Sequence, residues 1–181
     1  MEIKPLKLAG AYELNLKRLG DARGYFMRFY DRKIFAKHGL QTVWEQESLS
    51  FNQAKNTVRG LHFQLPPFAE TKIVRVAQGA IFDVLVDLRK QSKTYGEWTA
   101  IELSAENDKA VYIPQGFAHG FRTLAENTIV EYKIDAPYQA NLSSGIFWND
   151  ADLRIDWQTE NPITSERDAS LQKFASFDSP F

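Results

Sequence analysis

The run Ala80-Ile81-Phe82-Asp83-Val84-Leu85-Val86-Asp87-Leu88 constrains the fold more than any other stretch of this chain. Phe82, Val84, Val86 and Leu88 alternate with Ile81, Asp83, Leu85 and Asp87. Successive side chains on a strand point to opposite faces, so the segment predicts one fully apolar face and one mixed face. Such a strand suits the wall of a β-sandwich or barrel. Shorter runs of β character recur at 13–16, 42–47, 57–64, 72–77, 98–103, 110–113, 120–124 and 128–133. Turn signals such as Gly20-Asp21-Ala22-Arg23-Gly24 and Gln78-Gly79 separate them. One short helix is expected over 31–38, with Asp31 as its N-cap and Gly39 ending it. A second short helix is expected near 165–174, in the polar tail. Many short strands with few helices favour an all-β double-sheet or closed domain over a βαβ fold. No linker, internal repeat or low-complexity segment interrupts the pattern, so residues 1–181 read as a single domain.

Apolar residues make up 44% of the chain and Phe alone occurs 13 times, which argues against disorder. The net charge is −1, with no basic stripe, so no nucleic-acid partner is expected. There is no cysteine, which removes disulfides, zinc-thiolate sites and cysteine nucleophiles. No apolar run approaches the length of a membrane span, and Met1-Glu2-Ile3-Lys4-Pro5 has no signal-like core. The expectation is a cytoplasmic protein with no membrane partner.

The chemistry is concentrated around Thr57-Val58-Arg59-Gly60-Leu61-His62-Phe63-Gln64. Strict alternation would place Arg59 with Leu61 and Val58 with His62, on opposite faces. Gly60 lies between them, and a strand-interior glycine often marks a bulge. A bulge there would bring Arg59 and His62 to one surface, an anion-binding fork beside a group that moves protons near neutral pH. Taken alone, the two residues fit equally a histidine packed in a strand and an arginine capping a sheet edge. His119 sits on the far arm of the turn in Ile113-Pro114-Gln115-Gly116-Phe117-Ala118-His119-Gly120-Phe121. Lys72 enters an apolar strand, where a cation beside a cavity can stabilise a developing oxyanion. Tyr132, in Ile129-Val130-Glu131-Tyr132-Lys133, is either core packing or a general acid.

Metal chemistry is not expected. The chain has three histidines, no His-x-His pair, and His62 and His119 lie far apart in sequence. A Gly-rich phosphate loop is also absent, so any phosphate would be held by arginines and lysines on strands.

These motifs, with Asp21-Ala22-Arg23-Gly24-Tyr25-Phe26, Gly79-Ala80-Ile81-Phe82-Asp83-Val84, Val86-Asp87-Leu88-Arg89 and Trp148-Asn149-Asp150, resemble in order the dTDP-4-dehydrorhamnose 3,5-epimerases. The resemblance runs from about Gly20 to Asp168. It implies a cupin-type jelly roll, a homodimer, no metal or organic cofactor, and a nucleotide-linked 4-keto-6-deoxy sugar as substrate. It implies His62 as the base and Asp168 as its carboxylate partner, with Asp83 a competing candidate for that partner. Tyr132 resembles the group that returns a proton on the opposite face, and Lys72 the cation near the keto oxygen. Arg59 and His119 resemble binding residues around the sugar and diphosphate. Tyr138 resembles the aromatic that stacks on the nucleotide base. Arg23 resembles a residue lent by the neighbouring subunit, and Gln46 a further substrate-binding residue.

Three departures fall near the nucleotide. Arg28 stands where many members carry a glutamate. Gln46-Glu47-Ser48-Leu49-Ser50 replaces Gln-Asp-Asn-His-Ser, and the loop before Arg59 is one residue longer. A glutamate expected shortly after Tyr138 is replaced near Ser143. The catalytic set is intact, while a CDP-linked sugar, or inversion at only C3 or only C5, stays open beside the default dTDP substrate. Two readings from other classes are a metal-dependent cupin oxygenase, disfavoured by the missing histidine pair, and a non-catalytic sugar-binding jelly roll. An inactive relative would be expected to have lost His62 or Tyr132.

Overall fold

In the computed structural model, which describes residues 1–181, thirteen strands and two short helices follow one another. The strands are β1 (Glu2–Pro5), β2 (Tyr12–Asn15), β3 (Arg18–Asp21), β4 (Gly24–Met27), β5 (Gln46–Asn52), β6 (Val58–Gln64) and β7 (Lys72–Gln78). They continue with β8 (Ala80–Asp87), β9 (Trp98–Ser104), β10 (Lys109–Ile113), β11 (Phe117–Thr123), β12 (Thr128–Ile134) and β13 (Ser143–Gly145). One sheet has the order β1-β2-β10-β7-β12-β5 and the other β13-β6-β11-β8-β9, with β3-β4 a separate hairpin. Every strand pair is antiparallel. This is the all-β, jelly-roll sandwich that the strand pattern and the resemblance imply.

The sheets pack face to face, and further segments cover much of each outer face. Val74, Val76, Val111, Ile113 and Val130 of the six-stranded sheet meet Ile81, Leu85, Leu103, Phe117 and Phe121 of the other. Each such side chain contributes about 2 kcal/mol of burial. The outer face of the five-stranded sheet (Val58, Leu61, Val84, Val86, Leu88) is covered by Leu153, Ile155 and Trp157 from the C-terminal segment. The outer face of the six-stranded sheet is covered by the N-terminal segment and Phe35 of α1 (Arg32–Lys37).

The wall strand β8 divides as expected, with an instructive orientation. Its fully apolar face points outward, under the C-terminal cover. Its mixed face, with Asp83 between Ile81 and Leu85, lines the space between the sheets. The carboxylate therefore belongs to the interior.

Helix α1 forms as expected. Asp31 accepts from the backbone N–H of Lys33 and Ile34, and Gly39 follows at φ +68°. Three expectations need correction. The strand placed at 42–47 is β5, Gln46–Asn52, because Ser48, Ser50 and Asn52 pair along β12 in a segment too polar to show its period. The second helix is a single turn, α2 (Glu166–Ala169), capped by Ser165, with a 3-10 turn at Phe174–Ser176. Strand β11 begins at Phe117, so His119 lies within a strand and is buried. The three-residue β13 and the N-terminal β1 carry no period long enough to read.

Candidate active site

The cluster begins at a bulge. Along β6 and β11, His62 pairs with His119, and Arg59 pairs with Phe121. Three steps on β6 thus match two on β11, which is one extra residue on β6. Gly60 takes φ +131°, a conformation L side chains rarely adopt. A Cβ on Gly60 would stand 2.5 Å from Gly120 Cα and 2.9 Å from the His119 carbonyl. The bulge turns Val58 and Leu61 outward into one apolar cluster. Arg59 and His62 share the inner face.

His62 Nε2 lies 2.7 Å from Asp168 Oδ1. The other carboxylate oxygen accepts from the backbone N–H of Gly60 at 3.1 Å. Asp168 belongs to α2 and is buried, so the docked C-terminal segment brings it to β6. Burial pushes this carboxyl up, but the His62 hydrogen bond and charge outweigh it, aided by the Gly60 N–H. The net effect holds Asp168 below the ordinary carboxylate range. An ionised carboxylate at this position orients the ring and stabilises its protonated form.

Asp83 is taken by the other histidine. Its Oδ1 lies 2.7 Å from His119 Nε2, and both side chains are buried. Burial pushes the Asp83 carboxyl up, opposed by the attraction of His119 and Lys72. The cluster thus holds two separate His–carboxylate pairs, on adjacent strands.

Tyr132 stands on the facing sheet, on β12. Its ring lies edge-on to His119, with centroids 6.4 Å apart. Its hydroxyl is 3.2 Å from Ser50 Oγ. Burial pushes its phenol up to about 12, against a smaller opposing effect of the Ser50 hydrogen bond. Lys72, at the start of β7, pairs with Glu70 at 2.8 Å, and both line a narrow cleft with His119 and Gln64. Arg59 Nε donates to Asn52 Oδ1 at 2.7 Å.

Of the remaining candidates, Gln46 is the cross-strand neighbour of Ile134, which in turn pairs with Lys72. Gln46 Nε2 donates to the Ala136 carbonyl at 2.7 Å, which ties β5 to the segment carrying Tyr138. Tyr138 itself is 60% exposed. Arg23 occupies the turn of the β3–β4 hairpin, bonds Asp21, and projects into solvent. Within one chain the structure does not bring Arg23 to His62.

A family model described as dTDP-4-dehydrorhamnose 3,5-epimerase matches residues 5–176. The chain belongs to this family. Its fold and similarity to epimerases agree across organisms. A dTDP-4-dehydrorhamnose 3,5-epimerase of Sinorhizobium fredii is 42% identical over 171 residues, covering 94% of this chain and 88% of the relative. The enzyme of that name from Bacillus anthracis, solved with TDP and PPi bound, superposes with a TM-score of 0.92 at 42% identity, covering 95% of this chain and 98% of that one. A Legionella pneumophila dTDP-6-deoxy-D-glucose-3,5-epimerase in complex with dTDP-4-keto-L-rhamnose gives 0.92 at 33%, covering 98% and 94%.

Four residues of this epimerase-family site escape sequence reasoning. Glu70 pairs with Lys72, and Ser50 and Asn52 line the approach to Tyr132. Gln64 is the fourth: its amide donates to the Phe68 and Pro137 carbonyls and accepts from the Gln139 N–H. That clamp fixes the backbone on both sides of Tyr138. Only Gln64 left a signal, as a polar residue directly after Phe63 at the end of the strand that carries Arg59 and His62.

Proposed function

We propose that the chain epimerises a nucleotide-linked 4-keto-6-deoxy sugar, converting dTDP-4-dehydro-6-deoxy-D-glucose to dTDP-4-dehydro-L-rhamnose. The observation that carries this reading is the pairing of opposite walls. His62, backed by Asp168, lies on one sheet, and the partly buried phenol of Tyr132 lies on the other. Epimerisation needs a proton removed on one face of the sugar and returned on the other.

The C4 ketone acidifies the hydrogens on C3 and C5, so the chemistry needs neither metal nor organic cofactor. His62 takes a proton, the C–H electron pair moves into the ring, and an enolate forms. Asp168 stabilises the imidazolium produced. Lys72 stabilises the negative oxygen at C4. Tyr132 gives its proton to the opposite face of the carbon, which restores the ketone. Arg59 and His119 hold the sugar and diphosphate, Tyr138 stacks on the base, and Gln46 borders that pocket.

Residues 1–181 act as one domain, and two chains form a homodimer in which the hairpin of one lends Arg23 to the nucleotide pocket of its partner. Exposed Leu19, Tyr25 and Phe26 on the hairpin, and exposed Leu49 and Phe51 on β5, support this assembly. No helix is long and apolar enough to cross a membrane. With the small net charge and the absence of cysteine, this fits a cytoplasmic enzyme.

The test is proton NMR of the enzyme with dTDP-4-keto-6-deoxyglucose in D2O. Deuterium entering at C3 and C5 is the expected result. Entry at one carbon makes it a mono-epimerase, and entry only with the CDP-linked sugar changes the nucleotide. No exchange with either sinks the reading.

A further inference from the structure

Tyr132 ends a hydrogen-bond chain that begins at Arg59. Arg59 Nε donates to Asn52 Oδ1 at 2.7 Å. A guanidinium can only donate, so the carbonyl end of the Asn52 amide must face it. The amide nitrogen then faces the other way. It reaches Ser50 Oγ at 3.4 Å and the backbone carbonyls of Ser50 and Thr128 at 3.3 and 3.2 Å. Asn52 is buried, so water does not compete for these atoms. An amide NH2 also only donates, so Ser50 Oγ accepts from it. The hydrogen of Ser50 is left for its other neighbour, the Tyr132 oxygen at 3.2 Å. In the arrangement that uses this hydrogen, Ser50 donates to Tyr132, whose own hydrogen then points into the cavity.

We propose that Ser50 is a positioning residue for proton return, the last link of an Arg59–Asn52–Ser50 chain that aims the Tyr132 hydroxyl at the sugar and holds the phenolate left behind. This rests on the epimerase reading. In the step, the Tyr132 O–H bond breaks as a C–H bond forms at the enolate carbon. The enolate pair makes that bond, the C4 carbonyl re-forms, and the O–H pair stays on the phenolate. The phenolate then takes a proton from water, and the His62 imidazolium gives one to water. A hydrogen bond to a charged oxygen is stronger than one to a neutral oxygen. Ser50 therefore assists more as the phenolate develops than before, which is the condition for speeding the step.

Two measurements test the chain. With dTDP-4-keto-6-deoxyglucose in D2O, Ser50→Ala should lower inversion about tenfold relative to His62-driven exchange, the value of one hydrogen bond to a charged group. Ser50→Thr, which keeps the hydroxyl, should restore most of it. A merely structural serine would slow both processes equally, and an unchanged ratio overturns the proposal. The second measurement needs no substrate. In protein labelled with 13C at tyrosine Cζ, the Tyr132 signal, assigned by its loss in Tyr132→Phe, should shift in Ser50→Ala and return in Ser50→Thr. If the wild-type protein exchanges no keto-sugar proton, the epimerase reading fails, and this signal still decides the hydrogen-bond chain. A shift supports it and an unmoved signal overturns it.

Discussion

His62 and His119 stand directly opposite each other on adjacent strands, yet each is held by a different carboxylate: Asp168 for the first, Asp83 for the second. The two pairs differ in setting. The His62 side chain keeps 32% of its surface open, whereas His119 and Asp83 are enclosed. Asp168 is held ionised, while burial pushes Asp83 the other way. That contrast separates a pair suited to moving a proton from a pair whose carboxylate fixes the orientation of the His119 ring.

His62→Ala should reduce turnover by about a thousandfold or more, since a positioned general base contributes on the order of 10²–10⁴. Nucleotide-sugar binding, followed by calorimetry, should stay within a few-fold of wild type. A variant that exchanges C3 and C5 protons at the wild-type rate would show that another group is the base.

Tyr132→Phe should slow proton return more than initial removal, because only the return uses the hydroxyl. Deuterium wash-in with retained configuration, compared with inversion, separates the two. Equal slowing of both would make Tyr132 a packing residue.

Gly60→Ala should destabilise the fold by about 2 kcal/mol or more. The new methyl meets backbone atoms at 2.5 and 2.9 Å, which cannot swing aside as a side-chain tip would. Denaturant unfolding measures the loss. A change under about 0.5 kcal/mol, an ordinary surface value, would mean that the bulge accepts a side chain.

Asp87 gives a stability prediction with a defined sign. Its carboxylate accepts from Arg89, Ser92 and Thr94 at 2.6 to 3.0 Å. Burial pushes it up, but these donors prevail and bring it from 3.8 to about 2. A lowered folded-state value stabilises the fold above the unfolded value and loses that stabilisation as pH falls through the folded one. About 2 kcal/mol should therefore be present above pH ~4 and fade toward pH ~2. Asp87→Asn should flatten the stability curve in that window. An unaltered acid profile would remove Asp87 from the account.

If the proposed homodimer uses the exposed outer face of edge strand β5, Leu49→Glu with Phe51→Glu should give a monomer in sedimentation where the unaltered protein gives a dimer. A stable interface needs about 800 Å² from each chain, which charges at its centre would forbid. A double variant still sedimenting as a dimer would place the interface elsewhere.

The fold was legible where burial imposes a period. Strand β8 follows hydrophobic alternation, and α1 follows its Asp31 cap. Strand β5 was displaced by several residues because its inward side chains are Ser48, Ser50 and Asn52, which face a polar cavity and so carry no apolar signal. Gly60 signalled the bulge as one of two readings, and the register of β6 against β11 decides for it. The division of Asp83 and Asp168 between two histidines could not be read from the sequence. Both carboxylates are compatible with His62 in sequence, and only the docking of α2 against β6 separates them. Ser50 and Asn52 stayed hidden for the same reason as their strand: serine and asparagine are common in turns, and hydrogen bonding across a cavity leaves no periodic trace.

The reach from His62 to Asp168 spans 106 residues. On a chain emerging from the ribosome, every strand of both sheets is made before α2. The sandwich can therefore close with its histidine still unaccompanied. Chemical competence arrives last, when the tail docks, so a nascent or shortened chain with intact walls would be a shell that cannot act on a sugar.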